Sequence, residues 1–169
     1  MDAEIRREQI LAILSKTDEP IIARKLAEQF TVSRQVIVGD IALLRAEGHD
    51  ILSTPKGYIK KIEMNRLTKR IVCQHNYDQT LEELFTIVDH GGEILDVIVE
   101  HAIYGEIVGG LNISNRMEAT AFLEKLNKNH TSLLADLTDG LHSHTISAKD
   151  EVTLAKIVEA LEKKNLIYK

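Results

Sequence analysis

The period of the apolar residues changes once along this chain, and that change divides it into two differently built parts. Up to about residue 47 the period is helical. Ile10, Ile13 and Leu14 share one face of a segment running from about Asp2 to Ser15. Thr17-Asp18-Glu19-Pro20 interrupts it, and Ala23, Leu26, Ala27 and Phe30 then recur at i, i+3, i+4 and i+7. Ser33 suits the N-cap of a third helix, whose inward stripe is Ile37, Ile41 and Leu44 and which Gly48 closes. Ile51-Leu52 and Tyr58-Ile59 flank Ser53-Thr54-Pro55-Lys56-Gly57, so a short hairpin follows.

From about Arg66 the pattern alternates between short strands and helices. Strands are expected over 71–76, 94–100, 103–108, 141–146 and 166–168, with helices over 79–89, 115–128 and 150–163. In the first of these helices the expected inward residues are Leu81, Leu84, Phe85 and Val88. The order is β-α-β-β-α-β-α-β. The fold class is therefore α+β: a winged helix-turn-helix at 1–62 followed by an α/β sandwich at 63–169.

Charge supports the division. The net charge of −5 is spread unevenly, with +1 over residues 1–62 and −6 over 63–169. Six of the seven histidines fall in the second part. An acidic chain can still bind DNA, because the relevant field is local. No apolar run reaches the roughly 18 residues of a membrane span. The start, Met1-Asp2-Ala3-Glu4-Ile5-Arg6-Arg7, lacks the pattern of a signal peptide. The one cysteine, Cys73, excludes an internal disulfide, so a cytoplasmic location is expected.

With Ile37, Ile41 and Leu44 facing inward, the start of the third helix presents Ser33, Arg34, Gln35, Val36 and Val38. Arginine pairs with guanine, glutamine with adenine, and valine packs on a thymine methyl, so this set suits a major groove. Lys56 at the hairpin tip, with Lys60 and Lys61 after it, can hold phosphates. The competing reading is an adaptor whose exposed helix face binds another protein.

In the second part His142 and His144 stand two apart on an expected strand, on one face and about 7 Å apart at Cα. His75 lies on another strand and Glu83 in the helix after it. Three imidazoles and a carboxylate suit zinc, nickel or a similar borderline cation. The same spacings fit other roles: Glu83 follows Thr80 at capping-box distance, and a His-x-His pair also occurs on plain surfaces. Cys73 shares a strand face with His75 and suits either a soft-metal site or, as a lone cysteine usually does, a small core position. The stretch from Glu100 to Glu106 carries His101 and Tyr104 and reads either as the wall of a small-molecule pocket or as an ordinary hairpin turn.

Several motifs together resemble one family. In the first part they are Val32-Ser33-Arg34-Gln35-Val36-Ile37-Val38, Asp40-Ile41, Leu44-Arg45-Ala46-Glu47-Gly48 and Thr54-Pro55-Lys56-Gly57-Tyr58. In the second they are Ile87-Val88-Asp89, Gly91-Gly92, Asp96-Val97-Ile98-Val99-Glu100-His101, Tyr104-Gly105-Glu106, Leu137-Thr138, Gly140 and His142-Ser143-His144-Thr145-Ile146. The chain resembles the nicotinate-responsive transcriptional repressors of NiaR/YrxA type, a biotin-repressor-like winged helix joined to a three-histidine (3H) domain. The resemblance implies a non-enzymatic homodimer that represses genes of NAD biosynthesis or niacin uptake, with nicotinic acid as corepressor. It also implies a divalent metal on His75, Glu83, His142 and His144, and makes His101 a pocket residue rather than a metal ligand, with Tyr104 beside it in binding the small molecule. The alternative is a metal hydrolase on the same four residues. Two positions depart from the family: Ala102 stands where proline is common, and Ile21-Ile22 replaces a glycine-containing entry to the second helix.

Overall fold

A computed structural model describes residues 1–60 and 66–169. The chain falls into two compact units, Met1–Glu63 and Met64–Lys169. Both Lys61 and the expected boundary between residues 62 and 63 lie outside the described residues. No helix among the described residues is long and apolar enough to cross a membrane.

The first unit contains α1 (Ala3–Ser15), α2 (Ala23–Phe30), α3 (Arg34–Ala46), β1 (Ile51–Thr54) and β2 (Gly57–Lys60). Ile10, Leu14, Leu26, Ile37, Ile41 and Leu44 meet in its core, the residues that the helical period marks as inward. Ser33 caps α3 by accepting from the Val36 amide at 3.2 Å, which satisfies one of the free donors of the first turn. Helix α2 has no side-chain cap. Its entry is held instead by Ile21, whose amide and carbonyl both bond to the backbone of Tyr58 at 2.8 Å. That contact needs Gly57: its φ is +125°, and a Cβ there would lie 2.3 Å from the Ile21 carbonyl carbon.

One buried carboxylate ties α1 to α3. Asp40 accepts from Arg6 Nε at 2.6 Å and from Arg6 Nη2 at 3.1 Å, a two-pronged pairing. Arg45 joins α3 to the hairpin by donating to the Ile51 carbonyl at 2.9 Å and to Ser53 Oγ at 2.7 Å.

The second unit contains β3 (Leu67–Gln74), α4 (Thr80–Asp89), β4 (Glu93–His101), β5 (Gly105–Ile113), α5 (Arg116–Lys128), β6 (Leu141–Ala148) and α6 (Glu151–Lys163). The strands form one antiparallel sheet in the order β3-β6-β4-β5, which sets β6 at its centre. Asn115 and Asp150 cap α5 and α6, each accepting an amide hydrogen bond at 2.8 Å. Helix α4 packs against β4, α5 and α6. The core is built from Ile71, Leu84, Ile87, Ile94, Ile146 and Ile157.

Three expectations change here. The last strand is a single bridge between Ile167 and Cys73. A 3-10 segment, Leu134–Thr138, occupies a stretch for which the periodicity gives no element. In α4 the buried face carries Thr80, Glu83, Leu84, Thr86 and Ile87, while Leu81, Phe85 and Val88 are only partly covered. Helices on one side and the sheet on the other both press on α4, so its buried arc is wider than, and rotated from, a single apolar stripe.

Candidate metal centre and adjoining cavity

Strand β6 alternates as its period dictates, and His142, His144, Ile146 and Ala148 all face inward and are buried. One inward face thus begins polar and ends in the apolar core. Across the sheet, Cys73 pairs with His142 and Ile71 with His144. His75, expected on a strand, lies instead one residue beyond the end of β3, because the pairing with β6 stops at Gln74 and Leu141. Gly140 allows that position: its φ is +85°, and a Cβ there would stand 2.2 Å from the His75 carbonyl oxygen. The Gly140 carbonyl also accepts from the His75 amide at 3.4 Å.

All three imidazoles converge on Glu83, whose side chain is 1 % exposed. His144 Nε2 lies 2.6 Å from Oε1, His142 Nε2 lies 2.9 Å from Oε2, and His75 Nε2 also contacts Oε2. The ring centroids of His75 and His142 are 4.8 Å apart, and those of His142 and His144 are 4.7 Å apart. Each ring's other nitrogen meets a backbone carbonyl. His75 Nδ1 lies 2.8 Å from Asn76 O, His142 Nδ1 2.8 Å from Gly140 O, and His144 Nδ1 2.7 Å from Asp96 O.

That second contact decides the chemistry. A carbonyl only accepts, so each Nδ1 carries the proton and donates. In a neutral ring Nε2 is then a lone pair, and three such lone pairs face a carboxylate that can also only accept. The arrangement is stable only with positive charge among these atoms: protons on the imidazoles or a cation. Burial opposes charge on His75 and His144, yet the bond and charge of Glu83 outweigh it and hold both above the ordinary histidine range. Burial likewise works to raise the Glu83 carboxyl, but the charge of His144 and the bonds from His142, His144 and His75 hold it well below the usual range.

The donor set fits a metal ion. Three Nε2 atoms and a carboxylate are ligands of zinc or nickel type, and backbone carbonyls fix each ring's tautomer as metal-binding histidines require. Ligand atoms of Cys73, Glu83 and His142 also lie within 4.8 Å of one another. Burial pushes the Cys73 thiol up, so it abuts the cluster as a neutral group.

The cluster lines a cavity of about 270 Å³. Its other walls are largely apolar and include Leu84, Val97, Leu111, Phe122, Leu126 and Leu134. Tyr77 lines it as well and donates to Asn127 Oδ1 at 2.7 Å, joining the turn before α4 to α5. The residues between α5 and β6 supply a whole wall through Thr131 to Asp136. Sequence spacing missed this segment because its apolar residues follow neither a 2.0 nor a 3.6 period.

His101 and Tyr104 are not part of this cavity. They sit at the β4–β5 turn, where His101 pairs with Gly105 and Tyr104 is 78 % exposed. His101 Nδ1 accepts from the Ile103 and Tyr104 amides at 3.1 and 3.3 Å, so the ring closes the turn. The reading of this stretch as a hairpin turn, open at the level of spacing, is the one that the structure favours.

On α3, Arg34, Gln35 and Val36 are exposed beside Ser33, and Lys56 is exposed at the hairpin tip. Val38 is only half-buried rather than free, because it flanks the inward Ile37 and Ile41.

Comparison with known proteins agrees with both units. The 3H domain matches residues 68–169 and an HTH domain matches residues 6–59. The chain is 40% identical over 162 residues to the probable transcription repressor NiaR of Thermotoga maritima, covering 96% of this chain and 93% of that protein. It is 37% identical over 168 residues to the transcription repressor NadR of Bacillus subtilis, covering 97% and 93% respectively.

Proposed function

This chain belongs to the 3H-domain family of HTH repressors, and from that premise we propose that it is a metal-containing, nicotinic acid-responsive homodimer that represses genes of NAD biosynthesis or niacin uptake. The observation that carries this reading is the cavity of about 270 Å³ lined by Glu83, His75, His142 and His144 among largely apolar residues. A small acid with an apolar ring matches both its walls and its charged cluster.

His75, His142, His144 and Glu83 hold a divalent cation, nickel or zinc by donor type, whose positive charge attracts a carboxylate. The residues of this chain do the rest. Carbonyls of Asn76, Gly140 and Asp96 orient the rings, and Leu84, Phe122 and Leu134 exclude water from the ring of the acid. Arg34, Gln35 and Val36 read base edges from α3, while Ser33 and Lys56 contact phosphates.

Coupling follows if the DNA-ready arrangement of the dimer binds the acid better, which shifts the population toward it. Tenfold tighter operator binding needs only about 1.4 kcal/mol of such coupling. A two-fold dimer places its recognition helices about 34 Å apart, which calls for a palindromic operator. The repressor names of the relatives speak for a binding role over a hydrolase.

A mobility-shift assay tests this reading. Promoter fragments of niacin-uptake genes are expected to be retarded when nicotinate and metal are both present, and less so with nicotinamide, quinolinate or chelator. Binding must weaken steeply with salt, as phosphate contacts require and an adaptor role does not. Indifference of the shift to nicotinate and to chelator together would end the proposal.

A further inference from the structure

Thr80 opens α4 and lines the cavity. Its residue is 5 % exposed, and its Oγ1 is buried with no hydrogen-bond partner among the described residues. A helical threonine can satisfy its hydroxyl on the carbonyl four residues back. Thr86 on the same helix does so, donating to Glu82 O at 2.7 Å. For Thr80 that carbonyl belongs to Asn76, and it already accepts from His75 Nδ1 at 2.8 Å and from the Gln79 amide at 3.2 Å. The histidine that orients the cluster thus uses the acceptor that would have quietened Thr80. Buried hydroxyls are rarely left unpaired, so a partner from outside the chain is called for.

The charges around the cavity decide what that partner is. Among the described residues no lysine or arginine lines it, and its acids are Glu83 and Asp136. An anion in an apolar enclosure must sit against positive charge, which among the described lining residues is available at the histidine cluster. A bound carboxylate is therefore held at that cluster and is not the group that reaches Thr80. Thr80 precedes Glu83 by three residues, about one helical turn from the cluster and on the same face. What it meets is a neutral acceptor on the ring of the same molecule.

We propose that Thr80 is a specificity-determining residue whose hydroxyl donates to a ring nitrogen of the bound aromatic acid, selecting a pyridine carboxylate over a benzene carboxylate. The inference rests on the nicotinate reading of the cavity and adds the orientation of the acid within it. Selection arises because an acid without the ring acceptor leaves the hydroxyl buried and unpaired.

Calorimetry on the full-length, metal-loaded protein compares nicotinate with benzoate, which has the same ring and carboxylate but no nitrogen. Nicotinate is expected to bind about tenfold more tightly or better. Thr80→Val should bring nicotinate down to the benzoate level while leaving benzoate unchanged, and Thr80→Ser should restore the preference. Metal content, measured on each variant by atomic emission, should stay at the wild-type level. Equal wild-type affinities for the two acids overturn the inference and leave the nicotinate reading standing; this comparison needs no variant to fold. Equal losses of both acids in Thr80→Val put the carboxylate on Thr80 and overturn the orientation. Failure of the wild-type protein to bind either acid removes the nicotinate reading and this inference with it.

Discussion

Asp40 in the first unit and Glu83 in the second are both buried carboxylates, but they are neutralised by opposite kinds of partner. Asp40 is gripped by Arg6, with Arg7 Nη1 at 3.8 Å. A guanidinium keeps its charge under every condition in which the protein folds. Glu83 has three imidazoles, whose charge depends on protons and on whatever cation is bound. The first carboxylate makes a permanent clamp between α1 and α3. The second makes a centre whose stability depends on protons on the imidazoles or on a cation.

Substitutions can break that contrast. Glu83→Ala removes the carboxylate on which three rings converge, and metal content measured after dialysis should fall by about a hundredfold or more. Asp40→Ala should leave metal content unchanged. It should instead destabilise the first unit by about 2 kcal/mol, because the arginine pair loses its buried partner. Hydrogen exchange of the α1 and α3 amides reads this, with no difference between chelated and metal-loaded samples. Metal-dependent protection in α1 or α3 of the Asp40→Ala variant would erase the distinction.

A smaller effect sharpens the contrast within the first unit. Arg34→Ala should cost about 1 kcal/mol or more of discrimination between operator and mutated operator. Lys56→Ala should weaken every duplex alike and lower the salt slope by about 1. Titrations of both variants against matched and mismatched duplexes give the answer. Identical behaviour would undo the division between a base-reading helix and a phosphate-holding hairpin tip.

Legibility in the sequence follows how local each cause is. The helices of the first unit were readable because their apolar stripes, the Ser33 cap and the Gly48 stop act within a few residues. The shared face of His142 and His144 was equally readable, since a strand's period of two puts both on one side. Phe85 and Val88 misled in α4, because packing on two sides rotated the buried face toward Glu83 and Ile87. His101 and Tyr104 were ambiguous for a similar reason: polar residues between apolar strands read alike in a pocket wall and in a turn.

The sequence by itself determined the order and type of the main elements, the shared face of His142 and His144, and the exposed start of α3 apart from Val38. Periods, caps and turn residues are local matters, and one chain suffices to read them. Only the tertiary structure decided that Glu83 stands among three imidazoles rather than serving as a capping partner three residues after Thr80. It also decided that the Thr80 hydroxyl has no partner among the described residues. Both outcomes depend on how α4 is turned against β6 and on the approach of His75 to Gly140. Those are consequences of packing between segments some sixty residues apart, as between Glu83 and His142, which no local pattern encodes.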